Sequence, residues 1–526
     1  MNRRSLSWIN AKSLVLCLLL STPLLYFIVQ NNFLIDDWAQ LSYGNTLEEQ
    51  INSWRSLWSY RPVSWVLIPS ILHLFNDNFV LIAVLHLALY LFSIFQILNW
   101  KKLCLSQTQK RIAAILILSP VFASSFMLSP VNQLSASLSL AFFAFALHVE
   151  KYKINSRLVM ALTYSLFLLS VLSYEISIPL IFMHYLFSLR NNYRFSGNFM
   201  TFPMLLVFLF SWQKLIAPNF FGSDFSRFGS FSLLSLVSFV FSYLVAIPQF
   251  IVVKTIGSTL AVLCLVGVLL FVTRSPSNNP RDFIKHRFVE LIVLVGFLSN
   301  GALFLFSGRF SQITGYGNRG QTSSWIIFSI LIVILLGSKK NIKFYFLLFF
   351  SAANYLLFWD KSVESSSASQ LRTKIISQLV VSPMVGYERP STLILKLPCI
   401  LPNSKFRTEI FCTAWDARGA LKFNGLEIAN VFLVSDPDFP RYFQKINPED
   451  KLIIIDFTSN FQIVKIQKID LKIAADALAP YSAKWLEQDS QIEECIKRAK
   501  EFLELRVSGE FRSYLDCVKP LMQPNK

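Results

Sequence analysis

Charged residues are scarce in this sequence, and their scarcity argues against an ordinary soluble protein. Only 15% of the 526 residues are charged, whereas 54% are hydrophobic and the mean hydropathy is +0.49. Several stretches carry almost no charge over lengths close to the roughly 20 residues that a membrane-spanning helix requires. They are Ser13–Val29, Phe79–Leu98, Ile112–Leu128, Leu134–His148, Leu158–Ser173, Ile256–Val272, Phe288–Phe306 and Lys343–Trp359. The composition therefore predicts an α-helical multi-pass membrane protein.

Short motifs of soluble enzymes are also missing. The sequence contains no C-x-x-C, H-E-x-x-H, P-loop or G-x-G-x-x-G pattern, so the metal and nucleotide sites that these patterns mark are not supported. No small-residue cleavage site of the A-x-A kind follows Ser13–Val29. We therefore expect an uncleaved first helix there instead of a secretory signal peptide.

Basic residues exceed acidic ones and give a formal net charge of +18, but they are not gathered on one face or in one domain. They lie in short connections, which the positive-inside rule assigns to the cytoplasm, so a nucleic acid partner is not expected. The clusters are Arg3, Arg4 and Lys12; Lys101, Lys102, Lys110 and Arg111; Lys151, Lys153 and Arg157; Arg190 and Arg194; Arg274, Arg281, Lys285 and Arg287; and Lys339, Lys340 and Lys343.

This distribution predicts about eleven transmembrane helices, with the N-terminus in the cytoplasm and the C-terminus outside. It requires Pro62–Phe75 to be an interfacial or re-entrant helix on the outer side, and Phe231–Val253 to be a bent, partly embedded element there. The loop 30–78 then faces outward. A bacterial inner membrane is the expected location.

Polarity becomes ordinary after Trp359, and strand-like runs appear together with helical patterns. The strand-like runs are Thr392–Leu397, Val431–Val434 and Leu452–Phe457, and the helical patterns are Ser366–Val380 and Asp489–Leu505. We therefore expect two domains, a transmembrane domain over 1–359 and an extracytoplasmic α/β domain over 360–526. The second contains Cys399, Cys412, Cys495 and Cys517, which either form two disulfides or remain reduced and buried, because spacing does not fix connectivity.

Two neighbouring carboxylates, Asp36 and Asp37, follow the first apolar run in the stretch N-N-F-L-I-D-D-W-A-Q. Desolvated carboxylates raise each other's pKa, which suits a general base or a cation ligand, whereas a solvated helix end is the simpler interpretation. An amphipathic stretch, Thr46–Ser59, comes next and is typical of a helix lying along a membrane surface.

The order of features in the first hundred residues resembles the polyprenyl-phosphate-sugar-dependent glycosyltransferases of the GT-C fold, including protein O-mannosyltransferase-like members. In that family an acidic motif, an R-P-L-type segment, a juxtamembrane helix, an N-rich turn and a histidine-bearing helix follow one another. The matching positions are Asp36-Asp37, Arg61-Pro62-Val63, Pro62–Phe75, Asn76–Asn78 and His86.

Two later segments add to the resemblance. Leu172–Leu180 looks like the family's Y-E pair followed by an apolar L-P, and Glu175 would then face the same outer cavity as Asp36. The Gly-rich segment Ser307–Trp325 carries Arg309 and Arg319, and the family places an arginine there to hold the lipid-linked phosphate. A glutamate at the headgroup level and plain loop arginines are the competing interpretations.

The resemblance implies transfer of a sugar from a polyprenyl-phosphate donor to a hydroxyl of a glycan, lipid or protein acceptor. Asp36 would be the base and Asp37 would orient the acceptor or hold a divalent cation. Arg61, His86, Glu175, Arg309 and Arg319 would bind substrate, the arginines by stabilising phosphate charge. The tetratricopeptide and MIR-like repeats of better-known members are absent, so the acceptor does not carry over.

Other classes of membrane protein remain open. A transporter or flippase of lipid-linked glycans would place ionisable groups at the bilayer midplane, whereas the predicted helices have few there. A polymerase or ligase of surface polysaccharide would use outer arginines, but it does not require a carboxylate pair directly after the first helix.

Overall fold

The computed structural model describes most of the chain's first half and selected parts of the second. The described residues are 22–29, 36–44, 46–120, 123–151, 157–191, 201–221, 288–307, 321–336, 342–383, 385, 392–397, 401–402, 404, 408, 410–411, 414–433, 452–458 and 461–469. For some of them, Asp36 included, only the backbone is described. The described residues are mostly helical (78%), with a small mixed sheet.

The helices are short on average and many are apolar. They are α1 Thr22–Val29, α2 Asp36–Leu41, α3 Leu47–Leu57, α4 Pro62–Leu74, α5 Phe79–Leu98, α6 Gln107–Leu118, α7 Ser124–Leu128, α8 Leu134–Glu150, α9 Arg157–Ser173, α10 Ile178–Asn191, α11 Thr201–Ser211, α12 Ala217–Phe221, α13 Phe288–Ser307, α14 Thr322–Leu336, α15 Ile342–Val381 and α16 Ala414–Phe423. The chain divides into two compact units, one of residues 1–370 and 401–409 and the other of residues 371–400 and 410–526.

Among the described helices, α5 alone is both long and apolar enough to cross a membrane. Shorter apolar helices accompany it at Pro62–Leu74, Leu134–Glu150, Leu158–Ser173, Glu175–Leu189, Phe288–Gly301 and Thr322–Leu336. A single such helix is weak evidence, so a multi-pass arrangement stays a prediction. The expected elements at Phe231–Val253, Ile256–Val272 and Asp489–Leu505 lie outside the described residues, as do the four cysteines after residue 360.

The loop 30–78 is largely helical, because local signals start and stop its helices. Thr46 caps α3 in a capping box, in which its hydroxyl accepts from the Glu49 backbone N–H at 3.2 Å and the Glu49 carboxylate accepts from the Thr46 N–H. Pro62 occupies the first position of α4, where its missing N–H costs nothing. The helix predicted over Pro62–Phe75 is thus confirmed within one residue.

The apolar stretch Ile112–Leu128 is not one helix, contrary to the sequence expectation. Helix α6 ends at Leu118, because Pro120 disfavours helical geometry at the residue before it. The freed carbonyl groups find side-chain donors from elsewhere in the chain. Trp325 Nε1 donates to the Leu116 carbonyl at 2.8 Å, Tyr90 Oη donates to that of Ile117 at 3.0 Å, and the Asn354 amide donates to that of Ser119. Side chains of other helices therefore satisfy the backbone carbonyl groups at the end of α6.

The small sheet belongs to the unit of residues 371–400 and 410–526. Its strands are β1 Thr392–Lys396, β2 Asn430–Leu433, β3 Leu452–Phe457 and β4 Ile463–Ile469. They lie in the order β2-β1-β3-β4, with β1 parallel to both neighbours and β4 antiparallel to β3. Helix α16 forms the crossover between β1 and β2. The three predicted strands are confirmed, and the continuous apolar runs of β1 and β3 are buried, as parallel strands inside a sheet require.

The turn between α4 and α5 uses two left-handed residues, Asn76 and Asp77, with φ of 49° and 55°. Asn and Asp tolerate this conformation better than other residues with a Cβ atom. The Asp77 N–H donates to the Leu72 carbonyl at 2.9 Å, and Asn78 then caps α5 by accepting from Leu81 N at 3.2 Å. Partial burial raises the pKa of Asp77 and outweighs the opposing charge of His73.

Asp77→Asn should stabilise the protein at pH 8 by about 0.5 kcal/mol, the scale of substitutions outside a core. Asn keeps the left-handed preference and removes a carboxylate whose raised pKa means that folding disfavours its ionised form. The advantage should shrink as the pH falls and Asp77 takes up a proton. Apparent melting temperatures in detergent at pH 8 and pH 4.5 measure it; Asp77→Val is the destabilised control, and a wild type more stable than Asp77→Asn at pH 8 contradicts the argument.

Candidate functional site

The carboxylate of Asp37 is buried and held by the turn that precedes α8. Its Oδ1 atom accepts a hydrogen bond from Ser129 Oγ and another from the Asn132 backbone N–H, both at 2.9 Å, and the residue is 0% exposed. In the next turn of α2 the Gln40 amide donates to the Asn132 side chain. Helix α2 is therefore fixed to residues 129–132 by buried polar contacts, and its Asp37 is not a solvated helix end.

A second set of contacts joins the start of α4 to the turn between α9 and α10. Arg61 donates from Nη2 to Glu175 Oε2 at 2.9 Å and from Nε to the same oxygen at 3.3 Å. Gln213 Nε2 donates to the other oxygen, Oε1, at 3.1 Å. The two charged side chains are 5% and 11% exposed, so this is a buried ion pair with donors on both carboxylate oxygens.

Aromatic rings surround the guanidinium of Arg61. Its Cζ atom lies 3.7 Å from the ring centroid of Tyr174, 5.1 Å from that of Tyr60 and 5.4 Å from that of Trp58. A guanidinium stacks well on such faces because the ring quadrupole attracts the cation. The rings and the carboxylate together hold Arg61 in one orientation.

Serine hydroxyls fix the backbone around this ion pair. Ser64 Oγ donates to the Ser173 carbonyl at 2.6 Å, and Ser139 Oγ donates to the Tyr174 carbonyl at 2.8 Å. These bonds satisfy carbonyl groups that the end of α9 leaves without helical partners. Helix α8 thus contacts the turn that carries Glu175 through Ser139.

His86 lies on α5 and is fully buried. Its Nδ1 atom is 2.8 Å from Ser137 Oγ of α8, and its ring packs against Phe126 with centroids 4.9 Å apart. Among the described residues, none forms a hydrogen bond of normal geometry with the Nε2 atom. Helix α8 therefore positions His86 through Ser137 and the Glu175 turn through Ser139. The turn just before α8 positions Asp37 in a similar way.

Four of the seven sequence-predicted site residues are linked, directly or through a neighbouring residue, to residues 129–139, and we call this assembly the framework. The four are Asp37, Arg61, His86 and Glu175. Residues 129–139 contact Asp37 through Ser129 and Asn132, His86 through Ser137, and the turn before Glu175 through Ser139. Asp36 is the first residue of α2, and its side chain is not described. Arg309 and Arg319 lie outside the described residues.

Sequence reasoning did not find the partners of these residues. Ser129, Asn132, Ser137 and Gln213 carry no recognisable motif, and Arg61 and Glu175 are 114 positions apart in the chain. The substrate-binding roles of Arg61 and Glu175 stay predictions, although the ion pair already engages both side chains.

The chemistry of the framework is that of fixed hydrogen-bonding groups in an apolar setting. Within the described residues no group of three or more His, Cys, Asp and Glu side chains is arranged to hold a metal ion. A carboxylate that accepts two hydrogen bonds on one oxygen keeps its orientation, and an arginine that is stacked on aromatic rings keeps its charge in place. These properties suit positioning and electrostatic stabilisation.

No family model, characterised protein or solved structure matches the chain.

Replacing Arg61 with Met should destabilise the protein by about 3–5 kcal/mol, because Glu175 would remain buried without its cation. Arg61→Met with Glu175→Met should recover part of the loss, since no buried charge is left. Lys102→Met is the control: Lys102 pairs with Glu150 at 3.0 Å in a more exposed ion pair, and such pairs contribute about 1 kcal/mol or less.

Apparent melting temperatures and inactivation half-lives in detergent measure these differences. A loss at Arg61→Met no larger than at Lys102→Met would show that the ion pair does not stabilise the fold. Equal losses in the single and double variants would mean that the aromatic packing of Arg61 matters and its charge does not.

Proposed function

We propose that the protein is a multi-pass membrane glycosyltransferase of the GT-C type. It moves a sugar from a polyprenyl-phosphate donor to an acceptor hydroxyl on the outer face of a bacterial inner membrane. In this proposal about eleven helices cross the membrane, the N-terminus is cytoplasmic and the domain 360–526 is extracytoplasmic. The acceptor is a glycan, a lipid or a protein.

The burial of Asp37 is the observation that carries the proposal. A carboxylate that merely marks the end of a solvated helix would be exposed and free to rotate, whereas Asp37 is 0% exposed and fixed by two hydrogen bonds of 2.9 Å. Removing a carboxylate from water is costly, and proteins retain such groups mainly where they serve structure or chemistry. Its position directly after the first apolar run agrees with the acidic motif of the family.

The residues have separate roles in the proposed reaction. Asp36 takes the proton from the acceptor hydroxyl as the glycosidic bond to the phosphate breaks, and Asp37 holds the start of α2 in place. Arg309 and Arg319 stabilise the charge that develops on the departing phosphate. Arg61 and Glu175 fix the loop 30–78 against the turn after α9, and a divalent cation, if the reaction uses one, binds at Asp36 and Asp37.

A flippase of lipid-linked glycans is the second candidate, and His86 favours it. A histidine buried inside a helix that is apolar enough to span a membrane is the kind of group that transporters use for proton coupling. The two candidates differ in product: a transferase forms a new glycosidic bond, whereas a flippase moves an unchanged lipid-linked sugar between leaflets.

Asp36→Asn should lower sugar transfer by about 100- to 10,000-fold, the usual effect of removing a general base. Asp37→Asn should also lower it, and it should reduce stability by about 1–3 kcal/mol because the amide replaces an acceptor that two donors share. Transfer from a radiolabelled polyprenyl-phosphate sugar to endogenous acceptor in membrane vesicles measures the rate.

Ser129→Ala is the matched control for Asp37. It removes one of the two hydrogen bonds but leaves the carboxylate, so it should keep most of the activity and lose about 1 kcal/mol of stability. Near-normal turnover in both aspartate variants, with normal membrane insertion, would overturn the transferase proposal; undiminished transbilayer movement of the labelled lipid in them would then favour the flippase.

The predicted topology is tested independently of chemistry. Reporter fusions after Lys340 and after Lys526 should report the cytoplasm and the outside respectively, because the basic clusters set the orientation of the intervening segment. Paired alkaline phosphatase and fluorescent protein fusions give opposite signals on the two sides. Finding both positions in the cytoplasm would exclude an extracytoplasmic domain 360–526.

A further inference from the structure

Two lysine side chains from distant segments bind amide oxygens at the C-terminal end of α5. Lys151 Nζ donates to Gln96 Oε1 at 2.6 Å, and Lys110 Nζ donates to Asn99 Oδ1 at 2.8 Å. Side chains three positions apart on a helix lie on the same face, with Cβ atoms about 5–6 Å apart. The two ammonium groups are therefore held near the same end of α5 by amide oxygens.

Lys101 joins these two groups to form what we name the lysine cluster, Lys101, Lys110 and Lys151. Burial lowers the pKa of Lys151, and the positive charges of Lys110 and Lys101 lower it further. The ammonium group of Lys151 therefore lies within electrostatic range of the other two. Such an arrangement is unfavourable unless an anion offsets it.

The carboxylate next to the lysine cluster is already engaged. Glu150 accepts from Lys102 Nζ at 3.0 Å and is 2.8 Å from His184 Nε2. Although burial alone would raise the pKa of Glu150, the hydrogen bond and charge of His184 and the charge of Lys102 lower it to about 2. Glu150 therefore serves Lys102 and His184, and the lysine cluster keeps a net positive charge.

We propose that the lysine cluster is a binding site for the phosphate of an anionic lipid headgroup. Lysine is a compact charge that binds phosphate without demanding a fixed geometry. The surrounding surface favours a lipid over a free phosphate, because Phe95, next to Gln96 on α5, is 47% exposed. An acyl chain would cover such apolar side chains, whereas a soluble anion would not.

This inference rests on one part of the proposed function, the insertion of α5 into a membrane, and not on glycosyl transfer. With the predicted orientation, the lysine cluster lies at the cytoplasmic leaflet, where anionic lipids attract basic groups. Lipid binding then gives a physical reason for bringing together lysines from two connections, in addition to their effect on the orientation of the helices in the membrane. Near-normal sugar transfer in the aspartate variants would overturn the transferase proposal but would not affect the lipid site.

The test compares Lys110→Gln/Lys151→Gln with two matched variants of the full chain. Lys374→Gln/Lys422→Gln removes the same charge from exposed lysines elsewhere, and Lys110→Arg/Lys151→Arg keeps the charge in place. Each purified protein in neutral detergent is titrated with phosphatidylglycerol or with phosphatidylcholine. The melting temperature and the number of lipids retained in native mass spectrometry are measured.

Wild type should bind phosphatidylglycerol in preference to phosphatidylcholine. The affinity should fall about 30-fold in the Gln double variant, because each basic group near an anionic surface contributes about 1 kcal/mol, a factor of about five. The Arg variant and the Lys374/Lys422 variant should bind like wild type.

Three results would overturn the proposal. They are unchanged phosphatidylglycerol binding in the Lys110/Lys151 variant, an equal loss in the Lys374/Lys422 variant, and full stabilisation of wild type by inorganic phosphate without lipid. The last result would mean that the site takes a soluble anion. If the Gln variant is unstable in detergent, the Arg variant and wild type still decide whether phosphatidylglycerol is preferred.

Discussion

A guanidinium and a carboxylate that are both buried are stable only while each remains paired, because an isolated buried charge costs several kcal/mol. Arg61 and Glu175 meet this condition at 2.9 Å, with Tyr174 against the guanidinium and Gln213 on the second carboxylate oxygen. The pair joins the start of α4 to the turn between α9 and α10. The loop that carries Asp37 is attached to the helical framework through this contact and through residues 129–132, so the geometry of the candidate site depends on both.

The same requirement, that buried polar groups be satisfied, explains other features of the fold. Where Pro120 ends α6, side chains of Tyr90, Trp325 and Asn354 replace the missing helical hydrogen bonds. An apolar chain has little water near such a break to satisfy its carbonyl groups. A helix can therefore be interrupted in this way only where other helices supply hydrogen-bond donors. These hydrogen bonds connect α5, α14 and α15 to the end of α6.

Local elements were predictable because their signals are local. Four predictions follow from neighbouring residues, and the structure confirms them: the amphipathic helix within Thr46–Ser59, the helix that begins at Pro62, the helix over Ser366–Val380 and three of the four strands. The break after Leu118 was missed although Pro120 is visible in the sequence. Apolar composition over Ile112–Leu128 was given more weight than the restriction that proline places on its predecessor.

The sequence by itself determined the helical character of the chain, its distribution of charge, and the placement of two carboxylates after the first apolar run. Composition and order are local properties, and folding does not alter them. Only the tertiary structure decided that Asp37 is buried against residues 129–132, that Arg61 is paired with Glu175, and that Lys151 binds Gln96. These contacts join residues between 55 and 114 positions apart, and no periodicity or motif specifies which distant partner a polar side chain will find.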